Sequence, residues 1–305
     1  MQPGMTASLV LALLLAALMG VAIQRGGTCT VAAMEEIVLR RRATQLLAML
    51  FAALWVAGLL ALAGFAGFGM ASPPGYALGF GALLGGALLG LGAWINGACA
   101  FGTVARVGAG QWAYLATPLG FFAGIWVAAH VLMFNAPMPL SAASTSPSRA
   151  LAWGLVLAAL AAWALQPGRK LAWSPASATL LIGLCFVLLM LSVGGTWTWS
   201  ETLARWARGM GLSDGSLHLA LVFVLFAGSL LASRAAGSFR STRPAFRRTL
   251  ACFCGGALMA LGASLAPGSN DTLLLVGLPM FWAYAWVAFG TMGAVIALAL
   301  IAGRK

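Results

Sequence analysis

Two cysteines, Cys29 and Cys99, each follow a glycine-containing break and precede a stretch too short to cross a bilayer but long enough for a few helical turns. Gly26-Gly27-Thr28-Cys29 opens the stretch 26–39, and Asn96-Gly97-Ala98-Cys99 opens 96–107. Two further breaks, Gly194-Gly195-Thr196-Trp197 and Pro267-Gly268-Ser269-Asn270, open 194–209 and 266–278. Ser, Thr and Asn ahead of a helix cap its first N–H groups, and Thr198 with Glu201 has the spacing of a capping box. A short helix that starts inside an apolar interior presents unpaired N–H groups and a partial positive charge, which together hold a small anion. Gly27, Gly97 and Gly268 let such an anion approach the backbone without side-chain interference. A thiol at the same place has two chemistries. Neutral, it is a weak, polarisable donor suited to a soft sulfur anion; as a thiolate, favoured by the helix start, it is a nucleophile for persulfide or disulfide exchange. The candidate substrate-binding set is Cys29, Cys99 and Ser269, with Gly27, Thr28, Gly97, Gly268, Asn270 and Trp197 around them.

The remaining reactive residues point elsewhere. Cys185, Cys252 and Cys254 lie inside apolar runs and read as small buried hydrophobes. The five cysteines show no CxxC pair and no His-assisted spacing, so neither a disulfide framework nor a zinc site is indicated, and no cofactor is called for. His130 and His218 fall near the ends of apolar runs and read as satisfied interfacial histidines. Asp271 stands beside Asn270 at a helix start, where it reads as a cap rather than a proton-coupling group.

The elements that must position these residues are membrane spans. The chain has 305 residues, 62% of them hydrophobic and 7% charged, against about 25% charged in a soluble domain. It has too little polar surface to face water, which excludes a soluble enzyme, a secreted domain and a disordered protein. Apolar runs long enough to span a hydrocarbon core of about 30 Å lie near 6–24, 43–69, 76–95, 112–135, 150–166, 177–193, 216–233, 249–265 and 279–302. The first has no basic residues ahead of it and reads as a retained helix, not a signal peptide. An N-terminus on the periplasmic side puts Arg25, Arg40, Arg41, Arg42, Arg106, Arg169, Lys170, Arg234, Arg240, Arg243, Arg247, Arg248, Arg304 and Lys305 on the cytoplasmic side, together with the C-terminus. Only Arg149, Arg205 and Arg208 then face outward. That bias is a topology signal, and the formal charge of +12 is mostly a collar against anionic headgroups that requires no nucleic-acid partner.

The chain also repeats itself. GGTCT at 26–30 returns as GGTWT at 194–198, and GGALLGLGAWINGAC at 85–99 returns as GGALMALGASLAPGS at 255–269. The offsets, 168 and 170, nearly agree. By this alignment Trp197 is the counterpart of Cys29, and Ser269 that of Cys99. The expected fold is all-α and polytopic, with about nine transmembrane helices. It has a first repeat over 1–149, a linking span at 150–166 and a second repeat over 167–305. An odd number of spans between matched elements turns the copies upside down, the inverted-repeat plan of many secondary transporters. The breaks 26–39, 96–107, 194–209 and 266–278 then read as re-entrant segments lining a protein interior, since loops at membrane depth are tolerated only there. Ordinary headgroup loops are the rival reading. For 26–39, with Glu35, Glu36 and Arg40 to Arg42 behind it, the rival is an interfacial amphipathic helix.

The GGTC segment at 26–29, the block GALLGGALLGLGAWINGACAFGTVARVGAG at 81–110, and GGALMALGASLAPGSND at 255–271 followed by LLVGLP resemble the YeeE/YedE sulfur-transport family. The resemblance implies thiosulfate moving inward across a bacterial inner membrane, through an hourglass-shaped interior of nine spans with loops meeting at a narrow waist. It implies that waist cysteines pass the ion along by S–H···S hydrogen bonds, and Cys29 and Cys99 fall on two of the family's cysteine positions. The third is matched here by Ser269, whose hydroxyl is a harder and stronger donor than a thiol, so another oxyanion or sulfur compound is admitted. Partners implied are the anion, the lipid bilayer and a cytoplasmic sulfur-carrier protein. The expected function is a transporter, not an enzyme. Two alternatives stand: a membrane thiol enzyme or redox subunit working through Cys29 and Cys99, and a docking subunit whose handle is the basic loop 234–248.

Overall fold

The computed structural model describes residues 3–68, 75–134, 139–140, 156, 175–210 and 215–303. Helix α1 (Pro3–Gly26) runs into the short α2 (Thr30–Arg40), followed by α3 (Thr44–Phe65), α4 (Phe80–Asn96) and the short α5 (Ala100–Gly108). A 3-10 turn at Trp112–Leu115 then leads into α6 (Ala116–His130). The second half runs α7 (Pro175–Val193), the short α8 (Trp199–Ala207), α9 (Gly215–Ala235), α10 (Phe246–Leu265), α11 (Asn270–Thr272) and α12 (Ala283–Ala302). Between the last two, Leu273–Gly277 form a π-helical turn. The only sheet among the described residues is a two-residue antiparallel pairing, Gly75–Tyr76 with Pro139–Leu140. Eight helices among the described residues are long and apolar enough to cross a membrane. Their outer faces carry exposed Leu14, Phe80, Phe223 and Leu298, apolar surface that water would not tolerate in such quantity. The protein is an all-helical membrane protein. The expected span at 150–166 lies outside the described residues.

Spans and short helices separate where the backbone turns left-handed. α4 ends at Asn96 because Gly97 takes φ +67°, a conformation open to glycine. Its N–H and that of Ala98 return to the carbonyls of Trp94 and Ala93. Gly27 (φ +60°) and Gly194 (φ +76°) do the same after α1 and α7.

The duplicated blocks pack on each other. A Cβ built on Gly92 would stand 2.7 Å from the Gly255 carbonyl oxygen, and one on Gly255 would stand 2.7 Å from that of Gly92. Gly85 and Gly262 meet in the same reciprocal way, at 2.6 and 2.5 Å. Small residues let the two backbones approach this closely, which is how helices associate where lipid supplies no hydrophobic drive. Contacts that pair 85 with 262 and 92 with 255 make α4 and α10 antiparallel. Each helix presents one patch to the same patch of its copy, the mark of a two-fold relation. That axis must run across the helices, which inverts one repeat relative to the other. The other contacts obey it: α1 packs on α9 as α7 packs on α3, α4 on α12 as α10 on α6, and α2 on α12 as α8 on α6.

Candidate functional site

Four residues head the short helices. Cys29, Cys99, Thr198 and Ser269 are the N-caps of α2, α5, α8 and α11, all extended in backbone conformation. Each cap carbonyl accepts the first helical bond, from Ala33, Thr103, Thr202 and Leu273 in turn. The counterpart of Cys29 by capping is Thr198, one residue past the Trp197 that the GGTCT/GGTWT match selects. Thr198 Oγ1 accepts from the Glu201 N–H at 3.2 Å, half of the expected capping box. The Glu201 carboxylate turns instead to Arg208, 3.9 Å away.

The four caps are tied into one cluster. The Thr30 N–H donates to the Cys99 sulfur at 3.2 Å, joining α2 to α5. The two thiols adjoin, both free and buried. Gly102 is what admits Cys29: a Cβ there would come within 2.5 Å of the Cys29 sulfur. Asn270 crosses between repeats, its Oδ1 accepting from the Ala100 N–H at 3.0 Å and its Nδ2 donating to Thr30 Oγ1 at 3.3 Å. The fourth helix joins through α11, by Thr198 Oγ1 against Thr272 Oγ1 at 3.1 Å and by Ser200 Oγ donating to Asp271 Oδ1 at 2.6 Å. Ser269, next to Asn270, is buried, and its hydroxyl has no partner within the protein.

The other expected residues take less uniform places. Thr28 is buried while Gly27 is exposed. Gly97 leaves room for Arg248, whose guanidinium donates to the Asn96 carbonyl and to the Tyr114 hydroxyl. Gly268 (φ +127°) lines a cavity. Trp197 is buried with its indole N–H unpartnered, as is Trp199. Cys185 and Cys252 are buried as expected, but Cys254 is exposed on the outer face of α10, where its neighbour Cys252 turns inward. The segment 266–278 departs from a regular short helix, since its α-helical turn gives way to the π turn. α2 buries Thr30, Val31, Ala33 and Met34 inside the protein and exposes Arg40.

The cavity, about 490 Å³, sits over the second-repeat tips. Thr196, Glu201, Arg205, Arg208, Gly268 and Thr272 are among its walls. Two guanidiniums and one carboxylate give its mouth a positive balance, which gathers anions. Sequence reasoning overlooked the inner supports. Asn96 Nδ2 donates to the Ala98 carbonyl at 2.6 Å and to Thr103 Oγ1 at 3.2 Å, and Asn96 Oδ1 accepts from Thr117 at 2.8 Å. An Asn and two Thr inside otherwise apolar runs were the available signal, because a polar side chain there must find a partner. No group of three or more His, Cys, Asp or Glu able to hold a metal ion occurs among the described residues. The tips bring together two thiols, the unpartnered Ser269 hydroxyl and the unpartnered indole N–H groups of Trp197 and Trp199, with the Asp271 carboxyl beside them.

A family model described as sulphur transport matches residues 25–167 and, a second time, 159–298. No curated protein matches the chain.

Proposed function

The chain belongs to the sulphur-transport (YeeE/YedE) family, and on that premise we propose that it carries thiosulfate or a related small sulfur anion across a bacterial inner membrane. The observation that carries this reading is the run of hydrogen bonds joining the short-helix starts, with Asn270 bonded to both thiol-bearing tips. A dianion there is held by α2, α5 and α8 starts and by neutral donors, without a fixed cation, so it is free to leave. Cys29, Cys99 and Ser269 relay it, each offering a donor hydrogen. Gly27, Thr28, Gly97, Gly268, Asn270 and Trp197 shape the passage. The stretches 26–39, 96–107, 194–209 and 266–278 enter from opposite faces as re-entrant segments. They belong to a first repeat at 1–149 and a second at 167–305, joined by a ninth span at 150–166. The N-terminus is periplasmic and the C-terminus cytoplasmic, which places the Arg205 and Arg208 cavity outside as an anion-gathering mouth. A cytoplasmic sulfur carrier would receive the ion.

The test is the purified chain reconstituted in vesicles with labelled thiosulfate, sulfite, sulfate and selenite. Uptake of the sulfur anions is expected, and Cys99→Ala should abolish it while the protein still folds by thermal melting. Undiminished uptake by Cys99→Ala would refute the relay. The adjoining thiols favour one second reading, a thiol redox protein. Intact mass after turnover separates the two: a disulfide or a persulfide adduct belongs to that reading, an unmodified chain to transport.

A further inference from the structure

Asp271 is buried, with 1% of its surface exposed. Its Oδ1 accepts from the Ser200 hydroxyl at 2.6 Å and from the Thr272 N–H at 3.0 Å. Its Oδ2 is buried and has no hydrogen-bond partner. The nearby ion pair joins Arg208 to Glu201 and does not include Asp271. The bond from the Thr272 N–H at the start of α11 is of the capping kind the sequence suggested, and Oδ2 is the oxygen that role leaves over.

Its neighbours along the chain fix its place. On one side Asn270 bonds the tips of α2 and α5; on the other Thr272 lines the outer cavity. Asp271 thus stands between the mouth and the thiol cluster. A buried carboxylate with an unsatisfied oxygen is unfavourable, and protonation relieves it. A protonated Oδ2 needs an acceptor, and an anion in transit is one. Ionised, the same group repels that anion in an interior where water cannot screen the charge.

We propose that passage of the anion is proton-linked, with Asp271 as the group that takes and releases the proton. The proposal rests on the transport reading. Each turnover adds one proton from the water of the outer cavity to the Asp271 carboxylate. The anion crosses while the carboxyl is neutral, and the proton then leaves inward, so one proton moves with each anion. Of the titratable and charged groups on the elements around it, α8 brings Glu201, which repels it, with Arg205 and Arg208 paired electrostatically to Glu201. α12 brings Tyr284 to the cavity wall that Thr272 shares. α5, packed on α11, carries Cys99 at its cap, and its Arg106 is exposed at the far end.

Vesicles of purified full-length protein, loaded with a pH-sensitive dye, test this. Addition of thiosulfate is expected to acidify the lumen, and uptake to fall as the outer pH rises through the Asp271 titration. Uptake surviving in Asp271→Asn should move no proton and lose its pH dependence. If Asp271→Asn carries no anion, Ser200→Ala decides: losing the donor to Oδ1 destabilises the ionised form, so the pH midpoint of uptake shifts upward. Wild-type uptake without lumen acidification overturns the proposal, as does a Ser200→Ala midpoint that does not move; both leave the transport reading intact. Wild-type vesicles that take up none of the anions overturn both.

Discussion

The tips of the first repeat and those of the second share a backbone and differ in chemistry. Cys29 and Thr198 cap equivalent helices, as do Cys99 and Ser269. Two residues further into each helix pair the contrast widens: Val31 stands opposite Ser200 in the two-fold relation, and Phe101 opposite Asp271. The first repeat presents sulfur and hydrocarbon, the second hydroxyls and a carboxyl. Duplication keeps what the fold needs, a left-handed break and an extended cap, because an error there unravels a helix. The side chains facing inward are under no such constraint and have separated into a soft half and a hard half. A passage whose two halves differ in this way binds a substrate with a soft end and an oxygen-rich end in one orientation.

Five substitutions break or sharpen that contrast. Asn270 is the bond between the halves, so Asn270→Ala should have the largest effect. It strands the buried Ala100 N–H and the Thr30 hydroxyl, at about 1–3 kcal/mol for each group, read as a lowered melting temperature in detergent. Gly255→Ala comes next. Its methyl would meet Asn96 N and Gly92 O at 2.7 Å each, and overpacking at such a seam costs about 1–3 kcal/mol; an unchanged melting temperature would mean the α4–α10 crossing is looser than described. The caps themselves should differ in kind. Thr198→Ala removes a side-chain cap bond and should cost about 1 kcal/mol, whereas Cys29 makes no such bond, so Cys29→Ala should lower uptake with little loss of stability. The smallest effect is expected of Ser269→Cys, which makes the hard half softer. It should tilt competition uptake toward thiosulfate over sulfate by up to about tenfold, the scale of one altered contact in a binding site. A tilt toward sulfate would mean that Ser269 does not touch the ion.

Much of this was legible in the sequence because it is local or periodic. The two near-equal offsets disclosed the duplication, and the glycine-polar breaks disclosed where the four short segments begin, though not the π turn of the last. What was hidden depends on residues far apart in the chain. Asn270 reaches Ala100 and Thr30 across 170 and 240 positions, and no spacing rule reports such a bond. The orphaned oxygen of Asp271 is a property of what surrounds it, so the residue read as a cap. Similarity alone misjudged the partner of Cys29 by one position, because GGTCT and GGTWT match in letters while the helix starts one residue later in the second copy. Cys254 looked interior because it sits in an apolar run; adjacent helix positions face different directions, and in lipid an exposed one need not be polar.

The glycine seam between α4 and α10 says something about origin. Because Gly85 meets Gly262 and Gly92 meets Gly255, the surface on each side is one and the same stretch of ancestral sequence. A protein half this size, inserted in both senses, would find its mate by laying that stretch against an upside-down twin. Fusing the twins into one gene demands a single additional crossing between them, and an apolar run of suitable length stands at 150–166. Once fused, the twins no longer had to stay identical, and each could be tuned to the opposite end of its cargo.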